Sequence, residues 1–119
     1  MGYRQRFGTL GEELAAEYIR QLDMAIIDRN WRIREGEIDL IAQEQDGRYI
    51  FIEVKIRSSL HYGHPLEAIS PTKALRLQRL ALAWLATHSS WGATYRIDCL
   101  GITPGRDGEW SFDYRMGVL

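Results

Sequence analysis

The sequence predicts an α/β or α+β domain built around one central sheet, and three observations carry that expectation. Two stretches, 9–23 and 70–88, repeat apolar residues at helical spacing. Between and after them, short segments alternate apolar and polar residues with the period of a strand. Their order is helix, three strands, helix, one or two strands, which suits a single sheet covered by helices. A chain of 119 residues can bury such a core as one domain, 1–119, without disulfide or metal staples.

Each element rests on its own signals. "TLGEELAAEYIRQLD" places Thr9 three residues before Glu12, a capping box, and carries Leu14, Ala15, Tyr18 and Leu22 as its apolar stripe. "AIIDRNWRI" reads as the first strand. "GEIDLIA" and "YIFIEVKIR" come next as the second and third, joined by the turn-rich "QEQDGR". "SSLHYGHPLEAI" is a loop, or a loop with a short turn of helix, in which His61 and His64 form no metal motif and the "YG" turn orders the chain. In "SPTKALRLQRLALAWLATH", Ser70 is a helix cap, Pro71 fits the first helical position, and Leu77, Ala81, Trp84 and Leu85 mark the buried side. "TYRIDCLGI" alternates as a fourth strand, and "EWSFDYR" adds a fifth after the turn "PGRDGE".

The hydrophobic fraction of 45% and charged fraction of 26% are those of a soluble globular protein. No apolar run is long enough to span a membrane, and the first residues lack the apolar core of a secretory signal. The single Cys99 forms no internal disulfide and suits a reducing cytoplasm; it reads as a small buried apolar residue. A net charge of −1 gives composition no argument for a polyanionic partner. Bases do gather at Arg4 and Arg6, at Arg29, Arg32 and Arg34, and at Lys73, Arg76 and Arg79, although such clusters ordinarily mark a solvated face.

The second and third strands hold charges that a buried sheet does not explain. In "FIEVKIR", Glu53, Lys55 and Arg57 share a side with Phe51, and in "GEIDLIA", Glu37 and Asp39 share a side with Ile41. The hairpin register decides whether the acids meet. A two-residue turn at Asp46–Gly47 places Glu53 opposite Leu40 and sends Asp39 to the other side. A three-residue turn, Gln45–Asp46–Gly47, places Asp39 opposite Glu53 and Glu37 opposite Lys55. The second is preferred, because Gly47 accepts the left-handed conformation that ends such turns, and because the isoleucines and Val54 then share a face. Two carboxylates that close need a proton or a cation between them. Lys55 can supply the charge within a surface ion-pair cluster; alternatively a divalent ion can, and hard oxygen ligands suit Mg²⁺ or Mn²⁺.

In order, "GEELAAEYI", "RNWR", "GEIDLIA", "IFIEVKIR", "HYGHPLEAISPTK" and "RID" resemble the bacterial YraN family, which is similar to archaeal Holliday-junction resolvases. The resemblance runs from about Gly8 to Ile102. It implies a restriction-endonuclease-like α/β domain of order αβββαββ, with a central mixed sheet of four to five strands flanked by helices. It also implies a metal-dependent endonuclease acting on structured or branched DNA, in the cytoplasm and off the membrane, and possible as a homodimer. Carried across residue by residue, Asp39, Glu53 and the main-chain carbonyl of Val54 become metal ligands, and Lys55 the catalytic lysine. Ile38 stands where the superfamily's classical motif has proline. Glu12 matches an acid on the first helix of the resolvases, while the capping box gives it a purely structural role; Glu37 becomes a secondary ligand or a partner for Lys55. A binding module on the same fold, with little or no cleavage, is the alternative.

Five residues are candidates for contact with nucleic acid. Lys73 lies in the first turn of its helix, where a cation opposes the dipole, and Ser70 and the free amides there suit a phosphate. Arg76 comes next on the same side, Arg57 extends the charged strand, and Arg32 belongs to "RNWR". Asp98 pairs with Arg96 or caps the sheet. The tryptophans belong to core and rim.

Overall fold

Every segment that alternates in the sequence becomes a strand. The computed structural model describes residues 3–56, 70–88 and 92–118, with side chains from Leu10 onward. The elements are α1 (Tyr3–Gln21), β1 (Ala25–Ile33), β2 (Gly36–Gln43), β3 (Tyr49–Ile56), α2 (Pro71–Thr87), β4 (Tyr95–Pro104) and β5 (Trp110–Arg115). Arg57 and the predicted loop with His61, Tyr62 and His64 lie outside the described residues.

The five strands stand in sequence order, and every junction is antiparallel except that of β3 with β4. A parallel neighbour cannot be reached by a tight turn, so the chain crosses over through α2. One face of the sheet is covered by α1, whose Ala15 and Ile19 pack on Leu40, Ala42, Ile50, Ile52, Leu100 and Ile102. The other is covered by α2, whose Leu77, Leu80, Ala81, Trp84 and Leu85 meet Ile38, Ile41, Phe51 and Ile97. The chain is thus an α/β domain with a mixed five-stranded sheet, in the predicted order αβββαββ.

The helix ends differ in how well the sequence forecasts them. Ser70 caps α2 as expected, its hydroxyl accepting from the Lys73 N–H at 3.1 Å, and Pro71 opens the first turn. By contrast α1 starts at Tyr3, so Thr9 lies inside the helix and forms no cap; the capping-box reading of Thr9 and Glu12 is incorrect. Further along, Gly11 lies against β3, where an added β-carbon would sit 1.6 Å from Cδ1 of Ile56. Gly11→Ala is therefore expected to lower stability by about 1–2 kcal/mol despite alanine's better helix propensity, and Ile56→Val in the same chain to recover most of the loss, as read by urea denaturation.

The hairpin of β2 and β3 adopts the preferred turn. The Glu44 N–H donates to the Arg48 carbonyl and the Gly47 N–H to that of Glu44, with Gly47 at φ +95. Ala42 then lies opposite Ile50 and Leu40 opposite Ile52. The expectation of one face for all the isoleucines is corrected, because Ile38 joins the α2 core while Leu40, two residues on, joins the α1 core. Alternation switches at Asp39, and across the β1–β2 junction the paired residues skip from Arg29–Leu40 to Trp31–Ile38. The residue left between on β1 is Asn30, at φ +50. Asparagine is among the few residues that tolerate this left-handed conformation, and one such residue in a strand rotates the next residues to the other face.

At the far side of the sheet, the fully buried Asp98 accepts from Arg96 Nε and Nη2 at 2.8 and 3.0 Å. It also accepts from the Gly117 N–H at 2.9 Å and the Tyr114 hydroxyl. Asp98 therefore pairs with Arg96 and ties the segment after β5 to β4.

Candidate active site

The ladder between β2 and β3 ends at Leu40–Ile52, although β3 continues beside β4 to Ile56 and β2 continues beside β1 to Gly36. The two strands part at this point. In a continued antiparallel ladder the Val54 N–H would donate to the Ile38 carbonyl. Instead it donates to Asp39 Oδ2 at 2.8 Å, so a side chain takes the place of the backbone partner and fixes the carboxylate in the opening. The Val54 carbonyl points toward the same edge of β3 as its N–H, as in any extended strand.

Glu53 is turned to the α2 face, beyond Phe51, and is 9% exposed. Its Oε1 lies 2.8 Å from Lys73 Nζ and 3.7 Å from Lys55 Nζ. Lys55 stands two residues along the same strand, whereas Lys73 arrives from the first turn of α2. The parallel crossover sets that turn over the open end of β3.

The charges are unevenly shared. Burial, and then the neighbouring Glu53 charge, push the Asp39 carboxyl up to about 7, although the Val54 N–H favours its ionised form. The adjacent Lys73 and partial burial hold Lys55 below the usual lysine range. Burial lowers Lys73 too, but its hydrogen bonds to Glu53 and Lys55 outweigh that and leave it raised. Both ammonium groups thus serve Glu53, while Asp39 is under-compensated. A small cation beside Asp39 and Glu53 would relieve that repulsion. Mg²⁺ ordinarily takes one or two carboxylates and keeps several waters, so two acids and a strand carbonyl fit it without a third acidic side chain. Among the described residues no group of three or more His, Cys, Asp or Glu side chains gathers at metal-binding spacing.

The other predicted site residues are spread over both faces and the hairpin. Glu12 lies on α1, which packs on the face of the sheet opposite the Glu53 carboxylate, with its neighbour Gly11 against Ile56. Glu37 is not opposite Lys55; its Oε2 accepts from Arg32 Nη2 and Nε at 2.6 and 3.2 Å, because residues 32 and 37 are cross-strand neighbours in the β1–β2 hairpin. Arg32 is thereby engaged by Glu37, which raises its pKa, and its side chain is largely exposed. Ser70 is engaged as the α2 cap. Arg76, one turn beyond Lys73, lines a pocket of about 370 Å³ with Ile33, Glu35, Thr72, Arg79 and Leu80. Gly36 permits this packing of hairpin on helix, since a β-carbon there would meet Leu80 at 3.2 Å and its φ of +154 suits glycine alone. Cys99, beside Glu53 in the β3–β4 register, is buried, and burial, with the Glu53 charge second, pushes its thiol up to about 12. Sequence reasoning missed the direct Lys73–Glu53 pairing; its single local signal is a lysine placed against a helix dipole.

A family model described as "Uncharacterised protein family UPF0102" matches residues 11–102. A UPF0102 protein of Leifsonia xyli subsp. xyli is 44% identical over 119 residues, covering all of both chains. One from Streptomyces griseus is 42% identical over 99% of each, and one from a Mycobacterium species is 41% identical over 97% of this chain and 86% of its own. Among solved structures, Pyrococcus furiosus SfsA in complex with Ca²⁺ aligns with a TM-score of 0.41 at 18% identity, over 96% of this chain and 64% of that one.

Proposed function

We propose that this chain, a member of the UPF0102 (YraN) family, is a metal-dependent endonuclease that hydrolyses phosphodiester bonds of structured or branched DNA. The observation that carries the reading is the pair Asp39 and Glu53, held where β2 leaves β3 with Lys55 beside them. Asp39, Glu53 and the Val54 carbonyl would hold Mg²⁺ or Mn²⁺. When bound, the ion supplies Lewis-acid polarisation of the phosphate and lowers the pKa of an attacking water.

The protein's own groups do the rest. The Val54 N–H keeps Asp39 oriented into the opening. Lys55 sits beside Glu53, where its ammonium can donate to a non-bridging oxygen as negative charge develops there. Its depressed pKa also brings it closer to a role as proton acceptor from water. Lys73, Arg76 and the start of α2 would offer the positive side on which a DNA backbone can lie, and Arg32 and Arg57 remain further candidates for phosphate contact. A second copy of the chain would let paired strands be cut symmetrically. The proposed action on DNA would take place in the cytoplasm; no helix among the described residues is long and apolar enough to cross a membrane.

One observation favours the second reading, a nucleic-acid-binding module: Glu53 is already neutralised by two lysines. Labelled single-stranded, duplex, flapped and four-way DNA, each with Mg²⁺, Mn²⁺ or chelator, separates the two. Metal-dependent cutting that falls by about a thousandfold in Glu53→Ala is expected for the nuclease. Binding without cutting on every substrate and with both metals would establish the module instead.

A further inference from the structure

The cation nearest Glu53 comes from another element of the fold. Lys73 Nζ lies 2.8 Å from Glu53 Oε1, nearer than Lys55 on the same strand at 3.7 Å. Nothing in the architecture of α2 requires that contact. The helix start is closed by Ser70, which accepts the Lys73 backbone N–H, and by Pro71, so the lysine side chain contributes nothing to the cap. An ammonium in the first turn moreover opposes the helix dipole, which disfavours it there unless an acid holds it. The Lys73 side chain is 31% exposed, so its own ammonium can turn to water once another cation takes the buried Glu53. Lysine is suited to this, being a compact charge on a flexible four-carbon stem.

A carboxylate held in this way presents a cation seat that is already filled. Resting on the metal-site reading above, we propose that Lys73 is the exchangeable counter-ion of Glu53. Its ammonium holds the carboxylate in the metal-free protein, and a divalent cation that takes Glu53 displaces it. The freed Nζ then stands at the start of α2, one turn from Arg76, as a contact for the DNA backbone. Metal loading and DNA binding are coupled through this side chain: the ion releases the charge that the phosphate needs. Lys55, the strand neighbour, remains beside Glu53 throughout.

Competition of this kind is measurable without turnover. Mn²⁺ affinity is read from the electron paramagnetic resonance of the free ion, in DNA-free protein at fixed low ionic strength. Lys73→Met and Lys73→Gln are compared with the unaltered chain and with Arg79→Met, which removes a charge from the same helix two turns further on. Both Lys73 variants are expected to bind Mn²⁺ about three- to tenfold more tightly, the effect of removing a competing, partly exposed ion pair, while Arg79→Met stays within about twofold. Equal or weaker binding in the Lys73 variants overturns the exchange, and so does equal tightening in Arg79→Met, which would mark a general field effect. Failure of the unaltered chain and the Lys73 variants alike to bind Mn²⁺ overturns the metal site itself.

Discussion

Replacing Asp39 by asparagine is expected to make the metal-free protein more stable above neutral pH, while abolishing metal-dependent cleavage. The folded carboxyl titrates at about 7, against an ordinary value of 3.8. Between those values the folded state holds a proton that the unfolded state has lost, so native stability falls as pH rises from about 4 to about 7 and is level beyond. Burial and the charge of Glu53 cause the penalty. Asparagine removes it yet keeps an oxygen for the Val54 N–H. Chemical denaturation at pH 8 is expected to show a gain on the order of 2–4 kcal/mol for Asp39→Asn, shrinking toward zero near pH 4. Mg²⁺ should narrow the gap by stabilising the unaltered chain alone. A variant no more stable at pH 8 than at pH 4, relative to the unaltered chain, would show that Asp39 carries no electrostatic strain.

The second large effect is expected at Asp98, where loss of stability outweighs any effect on chemistry. Its carboxylate accepts from Arg96, Tyr114 and the Gly117 N–H in a fully buried setting. The hydrogen bond with Asp98 holds the Arg96 guanidinium further above its already high pKa. Burial, then the hydrogen bond to Asp98, raise the Tyr114 hydroxyl, so it remains a donor. Asp98→Ala leaves the guanidinium, a phenol and a backbone N–H without their acceptor, although Arg96 keeps Glu44 at 3.6 Å. Removing one partner from such a network costs about 3–5 kcal/mol. Thermal unfolding is expected to occur about 10–20 °C lower. A fall of under about 3 °C would show that the network is dispensable.

Much of the fold is legible because local patterns and tertiary structure agree. The strand run "YIFIEVKI" carries its own alternation, and Ser70–Pro71 announces the start of α2 without outside help. The register of β2 on β3 comes from one glycine that can take φ +95. The misreadings have equally local causes. "YRQRF" has no apolar stripe, so pattern alone starts α1 at Thr9 and gives Glu12 a capping role that it does not have. Pattern pairs Glu37 across the β2–β3 hairpin, whereas β1 supplies the nearer neighbour, Arg32. Asn30 looks like any polar strand residue, so the switch of faces at Asp39 is invisible in the sequence. Lys73 reaches Glu53 only because β4 lies parallel to β3 and forces a crossover, a property of topology that no window of sequence contains.

That crossover also sets an order of assembly. A hairpin of neighbouring strands closes with little loop entropy, so Asp39 and Glu53 can be brought together by β2 and β3 alone. The amine on α2 arrives only after β4 has docked and the long connection has closed. Until then Glu53 has Lys55 of its own strand but not its helical counter-charge, Lys73. Raising ionic strength during refolding is therefore expected to favour the early hairpin more than the finished domain.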